Sequence, residues 1–455
     1  MSRKLIRLLE RLATSLWLIP SLLSLAAAAM SVVLLFIDSE WPQLGNGNVW
    51  LFGGSSSAAR SLLSSIAGSL ITVVALAFSI TILALQQAST QYSPRAMRTF
   101  MQDRGNQLVF GVYIATFAYA LLVLRQVRDG AEGTAPFVPA LSISGGMLLA
   151  LICVALLIYY IDHVSTSLQV ETIIDNIRHE LHAALDRLVP EDGPQAKDED
   201  TDSGFCELPA QPSSYTIHAL GGGFLQAIDE AILDRASDQG ITLVRIRPQF
   251  GDYVLGRAAL VDVWCNDKAD GTGLGACIGG AFQFGRERLP QRDVLFGIRQ
   301  LVDVALKALS PGINDPTTAE QCISALGDVV AALAARPEPL RSARLPRSGI
   351  IVVFNRTGFT QVVDQAFSQI RREAAGDVHV TAHFLTVLAA IADQTRSVAQ
   401  TTAIRLQAEA VGAALERQDF SEGDRAALMQ HVAEVFAALQ RTCEAAAANA
   451  PEPSR

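Results

Sequence analysis

The strongest constraint in this sequence is a long uncharged segment whose length and composition suit a membrane-spanning helix. From Leu62 to Leu85 no side chain carries a charge, and about 20 apolar residues are enough for an α-helix to cross a bilayer. The chain of 455 residues is 50% hydrophobic, with a mean hydropathy of +0.28. These values are too high for an ordinary soluble protein and too low for one that lies entirely in the membrane. A membrane part followed by a sizeable soluble part is therefore expected.

One face of this segment is made of small and hydroxylated residues, which we call the small-residue stripe. It consists of Ser65, Gly68, Thr72, Ala75, Ser79 and, after an apolar gap, Gln86. Steps of three, four or seven residues place them on one side of a helix. Such a stripe predicts a neighbour other than lipid. Close packing against another helix explains it through small-residue contacts, and a water-filled axis explains it through the hydroxyl groups; both interpretations remain open.

Four segments are predicted to cross the membrane, at about residues 16–37, 62–86, 108–124 and 137–161. Basic residues cluster before the first span, and the second loop carries Arg95, Arg98 and Arg104. The first loop, in contrast, has the single Arg60 beside two acidic residues. Because basic residues favour cytoplasmic loops, this distribution predicts that the N- and C-termini are both cytoplasmic.

The content of the spans and the overall charge disfavour several classes of protein. The middle of each predicted span lacks Asp, Glu, Lys, Arg and His, whereas proton relays and voltage sensors are built from ionisable groups inside the membrane. A proton-coupled carrier is therefore disfavoured, but a passive pore or a plain anchor is not. The net charge of −9 disfavours nucleic acid as a partner, since phosphate recognition needs a basic surface. The lipid bilayer is the partner that the sequence predicts first.

The sequence after the fourth span divides at its linkers. A helical apolar period from Val164 to Leu188 predicts that the fourth helix continues as one helix through residues 163–188. Breakers and acidic residues indicate a linker at 189–212, and short apolar runs predict a small α+β module at 213–284, with one strand at Tyr253–Trp264. A mostly helical domain follows at 285–446, with helices predicted at about Val378–Asp393 and Val398–Leu415 and a basic linker at 341–348. A disordered tail is predicted at 447–455.

The predicted fold class is thus an α-helical membrane domain of four transmembrane helices (residues 1–162), followed by a cytosolic α+β module and a helical C-terminal domain. Pro290 is predicted to open a helix that ends at Pro311-Gly312. The next helix is predicted to start with Asp315 as its cap and Pro316 in its first turn.

Polar residues are dense around these two predicted helices, which suggests a binding corner. Its candidate members are Arg286, Arg288, Arg292, Asp293, Arg299, Asn314 and Asp315. If they converge where the helices meet, they form a site for an anion or a partner. The structural interpretation, in which the run from Ser310 to Pro316 only ends one helix and caps the next, is the favoured one.

No catalytic or metal site is predicted. His179 and His182 are three residues apart and His379 and His383 four, but neither pair has a third ligand nearby in the sequence. No nucleophile with a matching base and no phosphate-binding loop stands out. The chain is therefore expected to be no enzyme and to use no cofactor.

Two stretches, together with the four spans, resemble a known family. The second span runs into QQASTQYSPR, and ALSPGINDP follows in the predicted cytosolic part. The sequence is similar over nearly its whole length to the bacterial predicted membrane proteins grouped as domain of unknown function 2254. The resemblance implies a bacterial inner-membrane protein with a C-terminal cytosolic domain, and it implies no activity.

Two functions from different classes fit these observations. The first is a homo-oligomeric channel or permeation pore gated by the cytosolic domain, since four spans rarely enclose a pore alone. The alternative is a membrane-anchored sensor or scaffold whose cytosolic domain binds a ligand or partner. The identity of any ion or ligand is open.

Overall fold

The computed structural model describes residues 17–41, 51–91, 104–129, 136–189, 209, 211–235, 240–265, 274–289, 293–338 and 342–448. The chain divides into two units, Met1–Thr172 and Ile173–Arg455. We call them the membrane unit and the C-terminal unit. Residues 92–103 between the second and third spans, the acidic linker apart from a few residues at its ends, and the last residues of the tail lie outside the described ranges.

The membrane unit is built from four long apolar helices, each long enough to cross a bilayer. They are α1 (Leu18–Glu40), α2 (Ser56–Gln91), α3 (Arg104–Leu124) and α4 (Ala140–Ser167). The four predicted spans and the predicted order of helical membrane part, α+β part and helical part are confirmed. The second helix begins six residues earlier than predicted, at Ser56 instead of Leu62.

Helix α3 forms the centre of the membrane unit, because each of the other three helices packs more extensively against α3 than against any other span. Half of the residues in the most apolar stretch of α3 are buried, against 17% to 22% in the corresponding stretches of the other three helices. Tyr119 on this helix is completely buried, and its hydroxyl donates a hydrogen bond to the carbonyl oxygen of Ser142 on α4 at 2.7 Å. Small residues permit close approach here: a Cβ atom on Gly146 would lie 3.5 Å from the Tyr119 ring. The bundle is thus held by close packing, and the buried Tyr119 hydroxyl finds its acceptor inside the bundle.

The prediction that the fourth helix continues unbroken to Leu188 is wrong. Helix α4 ends at Ser167, and a separate helix, α5, runs from Val170 to Leu188. The backbone N–H of Gln169 bonds to the carbonyl oxygen of Thr166 at 3.1 Å, which closes a tight turn. Hydroxyl side chains such as Thr166 and Ser167 compete for backbone groups and weaken a helix, so an apolar period can continue across a break.

The C-terminal unit contains two β-sheets, whose strands pair mostly antiparallel, and a set of helices. Its strands are β1 (Tyr215–His218), β2 (Gly223–Ile228), β3 (Ile241–Ile246), β4 (Tyr253–Val254), β5 (Ala259–Cys265), β6 (Phe282–Gly285), β7 (Ser342–Arg344) and β8 (Ile351–Val353). Its helices are α5, the short α6 (Glu230–Arg235) and α7 (Leu274–Gly279), then α8 (Val294–Ala308), α9 (Pro316–Ala335), α10 (Phe359–Glu373), α11 (Val378–Ala392), α12 (Val398–Leu415) and α13 (Glu422–Ala448).

The larger sheet has the order β1-β5-β3-β8-β7, and the smaller one the order β4-β2-β6. Strands β3 and β8 are parallel, with Val244 opposite Val352. The sheet therefore crosses the boundary predicted between 284 and 285. Residues Ser342–Arg344, predicted as a linker, pair antiparallel with β8. The predicted strand Tyr253–Trp264 is two strands, one in each sheet, because the chain turns between Leu255 and Ala258.

Candidate functional site

The small-residue stripe lies on the outside of the membrane unit. Ser65, Gly68, Thr72, Ala75, Ser79 and Gln86 are all exposed on α2. The opposite side of the helix packs against its own bundle through Ala59, Leu63, Ala67, Leu70 and Ala77, all buried. At 100° per residue these two sets lie on opposite sides of the helix. The described helices of the membrane unit therefore leave the stripe uncovered.

Large apolar side chains border the stripe on both sides. Ile71 and Phe78 on one side and Leu76 and Ile80 on the other are between 44% and 61% exposed. Within the stripe, a Cβ atom on Gly68 would meet no atom within 4 Å. The hydroxyl of Thr72 donates to the carbonyl oxygen of Gly68 at 3.0 Å. The stripe is thus a narrow strip of low relief between apolar margins, the shape that allows another helix to approach closely.

A buried carboxylate, which the sequence interpretation assigned to the first loop, joins two helices of the membrane unit. Asp38 lies on the last turn of α1 and is only 7% exposed. Its carboxylate accepts hydrogen bonds from the backbone N–H of Leu141 at 3.0 Å, the N–H of Ser142 at 2.9 Å and the hydroxyl of Ser142 at 2.6 Å. Asp38 therefore caps the N-terminus of α4 from another helix, which favours its negative charge.

Further polar contacts tie the spans together at other levels. Tyr160 on α4 donates to the carbonyl oxygen of Ala77 on α2 at 2.8 Å and also bonds with the hydroxyl of Thr81. Tyr113 on α3 donates to the carbonyl oxygen of Cys153 on α4 at 2.8 Å. Each buried hydroxyl is satisfied inside the unit, as an apolar environment requires. These tyrosines serve the packing of one chain and leave the stripe uncovered.

The predicted binding corner is not brought together. Asp293 caps the N-terminus of α8, and its carboxylate is paired with Arg288 through bonds of 2.6 and 3.0 Å. Asn314 and Asp315 follow the other end of the same helix. The 15 residues of α8 correspond to about 22 Å, so these groups cannot share one small ligand.

The other candidates of the corner have separate surroundings. Arg299 is half-buried and bonds to Asp303 at 2.7 Å and to Gln369 at 2.6 Å. Arg286 and Asn314 are exposed, Asn314 with a φ of 50°. Arg292 lies outside the described residues, as does Pro290, and α8 begins at Val294 and not at Pro290. The charged residues are dense in this part of the sequence because it contains helix ends and surface positions.

Asp315 has the role that the sequence predicts for it. It is the N-cap of α9, with Pro316 as the first helical residue. Its carboxylate accepts the backbone N–H of Thr318 at 3.1 Å and the Thr318 hydroxyl at 2.6 Å. The stretch ALSPGINDP, which contributes to the family resemblance, therefore ends in the start of helix α9.

A cavity of about 70 Å³, which the sequence interpretation missed, lies within the C-terminal unit. It is located where the loops after β3 and β8 meet, because parallel strands end at the same edge of a sheet. Its apolar wall includes Leu185 and Leu188 of α5, Ile246 of β3, Leu333 of α9 and Phe354 after β8. A volume of this size holds several waters or one small molecule.

Amide and hydroxyl side chains form one rim of this cavity. Gln249 donates from its amide nitrogen to Asn355 at 3.4 Å and to Gln361 at 3.2 Å. The hydroxyl of Thr357 donates to the Gln249 oxygen at 3.3 Å. These bonds link the loop after β3 to the loop after β8 and to α10, and so fix the polar side of the cavity.

Arg356 is the least satisfied group in the cavity lining. Its Nε is buried and has no hydrogen-bond partner, and among the described residues no carboxylate forms an ion pair with the guanidinium. The side chain stacks over the Phe354 ring, with 5.0 Å between the guanidinium carbon and the ring centroid. Burial lowers the pKa of Arg356 from its usual value, and the attraction of Glu230 opposes this shift.

The histidine pairs do not form a metal site in the described part of the chain, where no group of three or more potential ligands is found. His179 bonds to Asp175 of its own helix, whereas His182 bonds to Asp328 on α9 at 2.9 Å. His379 is exposed, and His383 bonds to the hydroxyl of Ser324 at 2.8 Å.

Four apolar spans followed by a sheet-and-helix unit define a multi-span membrane protein with a large C-terminal part. The chain belongs to the family described as predicted membrane protein, domain of unknown function 2254, whose model matches residues 13–390. This match confirms the resemblance seen in the sequence motifs.

Relatives of the chain occur in mycobacteria. The chain is 32% identical over 403 residues to an uncharacterized protein of Mycobacterium bovis, covering 86% of this chain and 74% of the relative. An uncharacterized protein of Mycobacterium tuberculosis matches with the same identity and the same coverage. No solved structure matches the chain.

Proposed function

We propose that this protein is a homo-oligomeric channel or permeation pore of the bacterial inner membrane, in which α2 of each copy lies next to the common axis and the C-terminal unit controls opening. Both termini are cytoplasmic in this proposal, as the loop charges predict. The proposal assigns no catalytic step and no cofactor to the chain.

The observation that carries the proposal is the exposed small-residue stripe. Lipid tails gain nothing from a strip of glycine, alanine and hydroxyl groups, whereas a second helix gains close contact and an aqueous axis gains hydrogen-bonding groups. Since the described part of the membrane unit contains four spans, and four spans rarely enclose a pore alone, a pore needs several copies around an axis. Thr72 and Ser79 lie two turns apart on the stripe and are the residues expected nearest to that axis.

Thiol accessibility combined with conductance tests the proposal. Thr72→Cys and Ser79→Cys are made separately in a variant without the native cysteines, and each is reconstituted in liposomes. Ile80→Cys is the matched control, since Ile80 is 44% exposed but lies on the apolar margin. We expect a hydrophilic thiol reagent to modify positions 72 and 79 and to change an ion flux, and to leave position 80 unmodified. Conduction that continues while positions 72 and 79 stay unreactive refutes the pore-lining assignment.

A second candidate function, a membrane-anchored sensor or scaffold, is favoured by a different observation. The cavity at the ends of β3 and β8 is a concave site with a polar rim and an apolar wall, the usual form of a small-molecule site. In a sensor, the stripe is only a packing interface. A protein that assembles through α2 and binds a ligand, but conducts nothing, supports this candidate over the pore.

A further inference from the structure

The cavity in the C-terminal unit presents a positive charge that the described protein does not neutralise. Arg356 has a buried Nε without an acceptor, and Glu230, the acid that attracts it electrostatically, is exposed and forms no ion pair with it. A buried donor without a partner is unfavourable. A protein keeps such a group where an external acceptor completes it, and a planar guanidinium matches the two oxygens of a carboxylate or a phosphate.

A helix start next to Arg356 adds further donors. Helix α10 has Gly358 as its N-cap, and no side chain caps this end. A Cβ atom on Gly358 would meet nothing within 4 Å, so no neighbouring side chain crowds this residue. The first N–H groups of a helix have no acceptor within the helix and favour an anion. Thr357 and Val362, on either side of this start, both line the cavity.

The carboxylate that also borders the cavity does not oppose an anion. Asp293 is 4% exposed, accepts two bonds from Arg288 and accepts the backbone N–H of Phe296 at 3.1 Å. Its charge is therefore balanced by its own partners. Arg356, in contrast, forms no ion pair with a described carboxylate and can pair with a ligand in the cavity.

The remaining wall indicates what the rest of the ligand is like. Leu185, Leu188, Ile246 and Leu333 contribute apolar side chains from three elements. Together with the small volume of about 70 Å³, they favour a short hydrocarbon part over a large polar one. An inorganic oxyanion would satisfy Arg356 but would leave this wall uncovered.

We propose that this cavity binds a small organic acid, with the acid group on the Arg356 guanidinium and the start of α10, and a short hydrocarbon part against the apolar wall. The site goes beyond the proposed pore and does not depend on it, because all of its residues belong to the C-terminal unit. A small organic acid is thus the chemical class of ligand through which the C-terminal unit could sense conditions in the cell.

Ligand titration with the full-length protein in detergent tests the proposal. The probes are butanoate, its neutral counterpart butanamide, and inorganic phosphate, each followed by ligand-observed NMR. We expect butanoate to bind. Butanamide should bind at least about tenfold more weakly, because it cannot form the charge-assisted hydrogen bond with Arg356. Phosphate that binds more tightly than butanoate, or butanamide that equals butanoate, overturns the organic-acid assignment, as does the absence of butanoate binding.

Variants separate the site from adventitious binding. Arg356→Gln should weaken butanoate at least about tenfold, and Arg356→Lys, which keeps the charge but not the planar fork, should have an intermediate effect. Arg344→Gln is the matched control, since Arg344 is an exposed arginine of the same sheet and should leave binding unchanged. Equal affinity in the wild type and in Arg356→Gln refutes the site.

The unfolding midpoint of the ligand-free protein distinguishes a ligand-binding role of Arg356 from a structural role, because the two roles predict different changes in Arg356→Gln. If Arg356 serves a ligand, Arg356→Gln removes an unsatisfied buried donor, so the unfolding midpoint of the ligand-free protein should stay the same or rise. Butanoate should raise the midpoint of the wild type and not that of the variant. A clear fall of the ligand-free midpoint in Arg356→Gln shows that Arg356 supports the fold, and contradicts the proposal.

Discussion

Replacing Asp38 should loosen the start of α4 more than any other single change at that end of the membrane unit. The Asp38 carboxylate lies on α1 but receives two backbone N–H groups and one hydroxyl from residues 141 and 142. Asp38→Ala removes the acceptor for all three donors. Asp38→Asn keeps one acceptor oxygen but loses the charge and the second oxygen.

The size of the effect follows from these bonds. Removing an N-cap costs about 1 kcal/mol. The Leu141 N–H is only part-buried and the Ser142 hydroxyl can turn to a carbonyl oxygen of the preceding turn, so we count one buried donor, the Ser142 N–H, as left without an acceptor, at about 1–3 kcal/mol. We therefore expect Asp38→Ala to lower the local stability at the start of α4 by about 2–4 kcal/mol, and Asp38→Asn by about half as much. Glu40→Ala is the control, because Glu40 is exposed on the same helix end and should change stability by less than about 0.5 kcal/mol.

Hydrogen exchange in detergent, read by mass spectrometry on a peptide that contains residues 140–146, measures this local stability. Since about 1.4 kcal/mol corresponds to a factor of ten, the amides of Leu141 and Ser142 should exchange at least tenfold faster in Asp38→Ala than in the wild type. The Glu40→Ala protein should match the wild type. Unchanged exchange at Leu141 and Ser142 in Asp38→Ala refutes the capping role.

Three further predictions concern other parts of the chain. Asp315→Ala should cost about 1 kcal/mol of unfolding free energy whereas Asp315→Asn should be nearly neutral; loss of function in a folded Asn variant would instead show a role for the charge. The pKa of Asp262 is lowered from 3.8 by its hydrogen bonds from Arg247, so its contribution to stability is present above that value and is lost as the pH falls through the lowered pKa. Asp262→Asn should therefore flatten the acid limb of the thermal unfolding midpoint, and an unchanged limb contradicts this. Cysteines introduced at Asn46 and Asp202 should label from outside and from inside the cell respectively, and outside labelling at 202 would reverse the proposed topology.

Helices with a strong apolar period were predicted within a few residues. Helix α12 has the predicted bounds, Val398–Leu415, and α11 differs from its prediction by one residue at the end. The stripe on α2 was also recognised, because helical spacing alone decides which side chains share a face. Whether that face packs inside the chain or outside it depends on the other three spans, so its exposure could be learned only from the structure.

Contacts between distant parts of the chain could not be predicted. Strand β8 has only three residues and pairs with β3 more than 100 positions earlier, so no local pattern connects them. For the same reason the cavity between their loops was missed. The one sequence signal was the polar run Asn355-Arg356-Thr357-Gly358 between a buried strand and an amphipathic helix, a usual place for a binding loop.

The predicted members of the binding corner do not converge, because the prediction assumed that residues near in sequence are near in space. The helix between Asp293 and Asp315 holds the two acids at its opposite ends. Each carboxylate is used as a helix cap, which explains its position without a ligand. The break after Ser167 was missed for a similar reason, since an apolar period persists even where the backbone turns.

The position of α2 in the assembled protein decides between a pore and an anchor. Single-particle cryo-electron microscopy of the full-length protein in lipid nanodiscs measures it, with the symmetry and the nearest neighbours of α2 as the result. We predict a symmetric oligomer in which the stripes of all copies face the axis and Thr72 and Ser79 border a hydrated passage. A monomer, or an oligomer in which the stripe faces lipid or lies between dry packed helices, would contradict the pore.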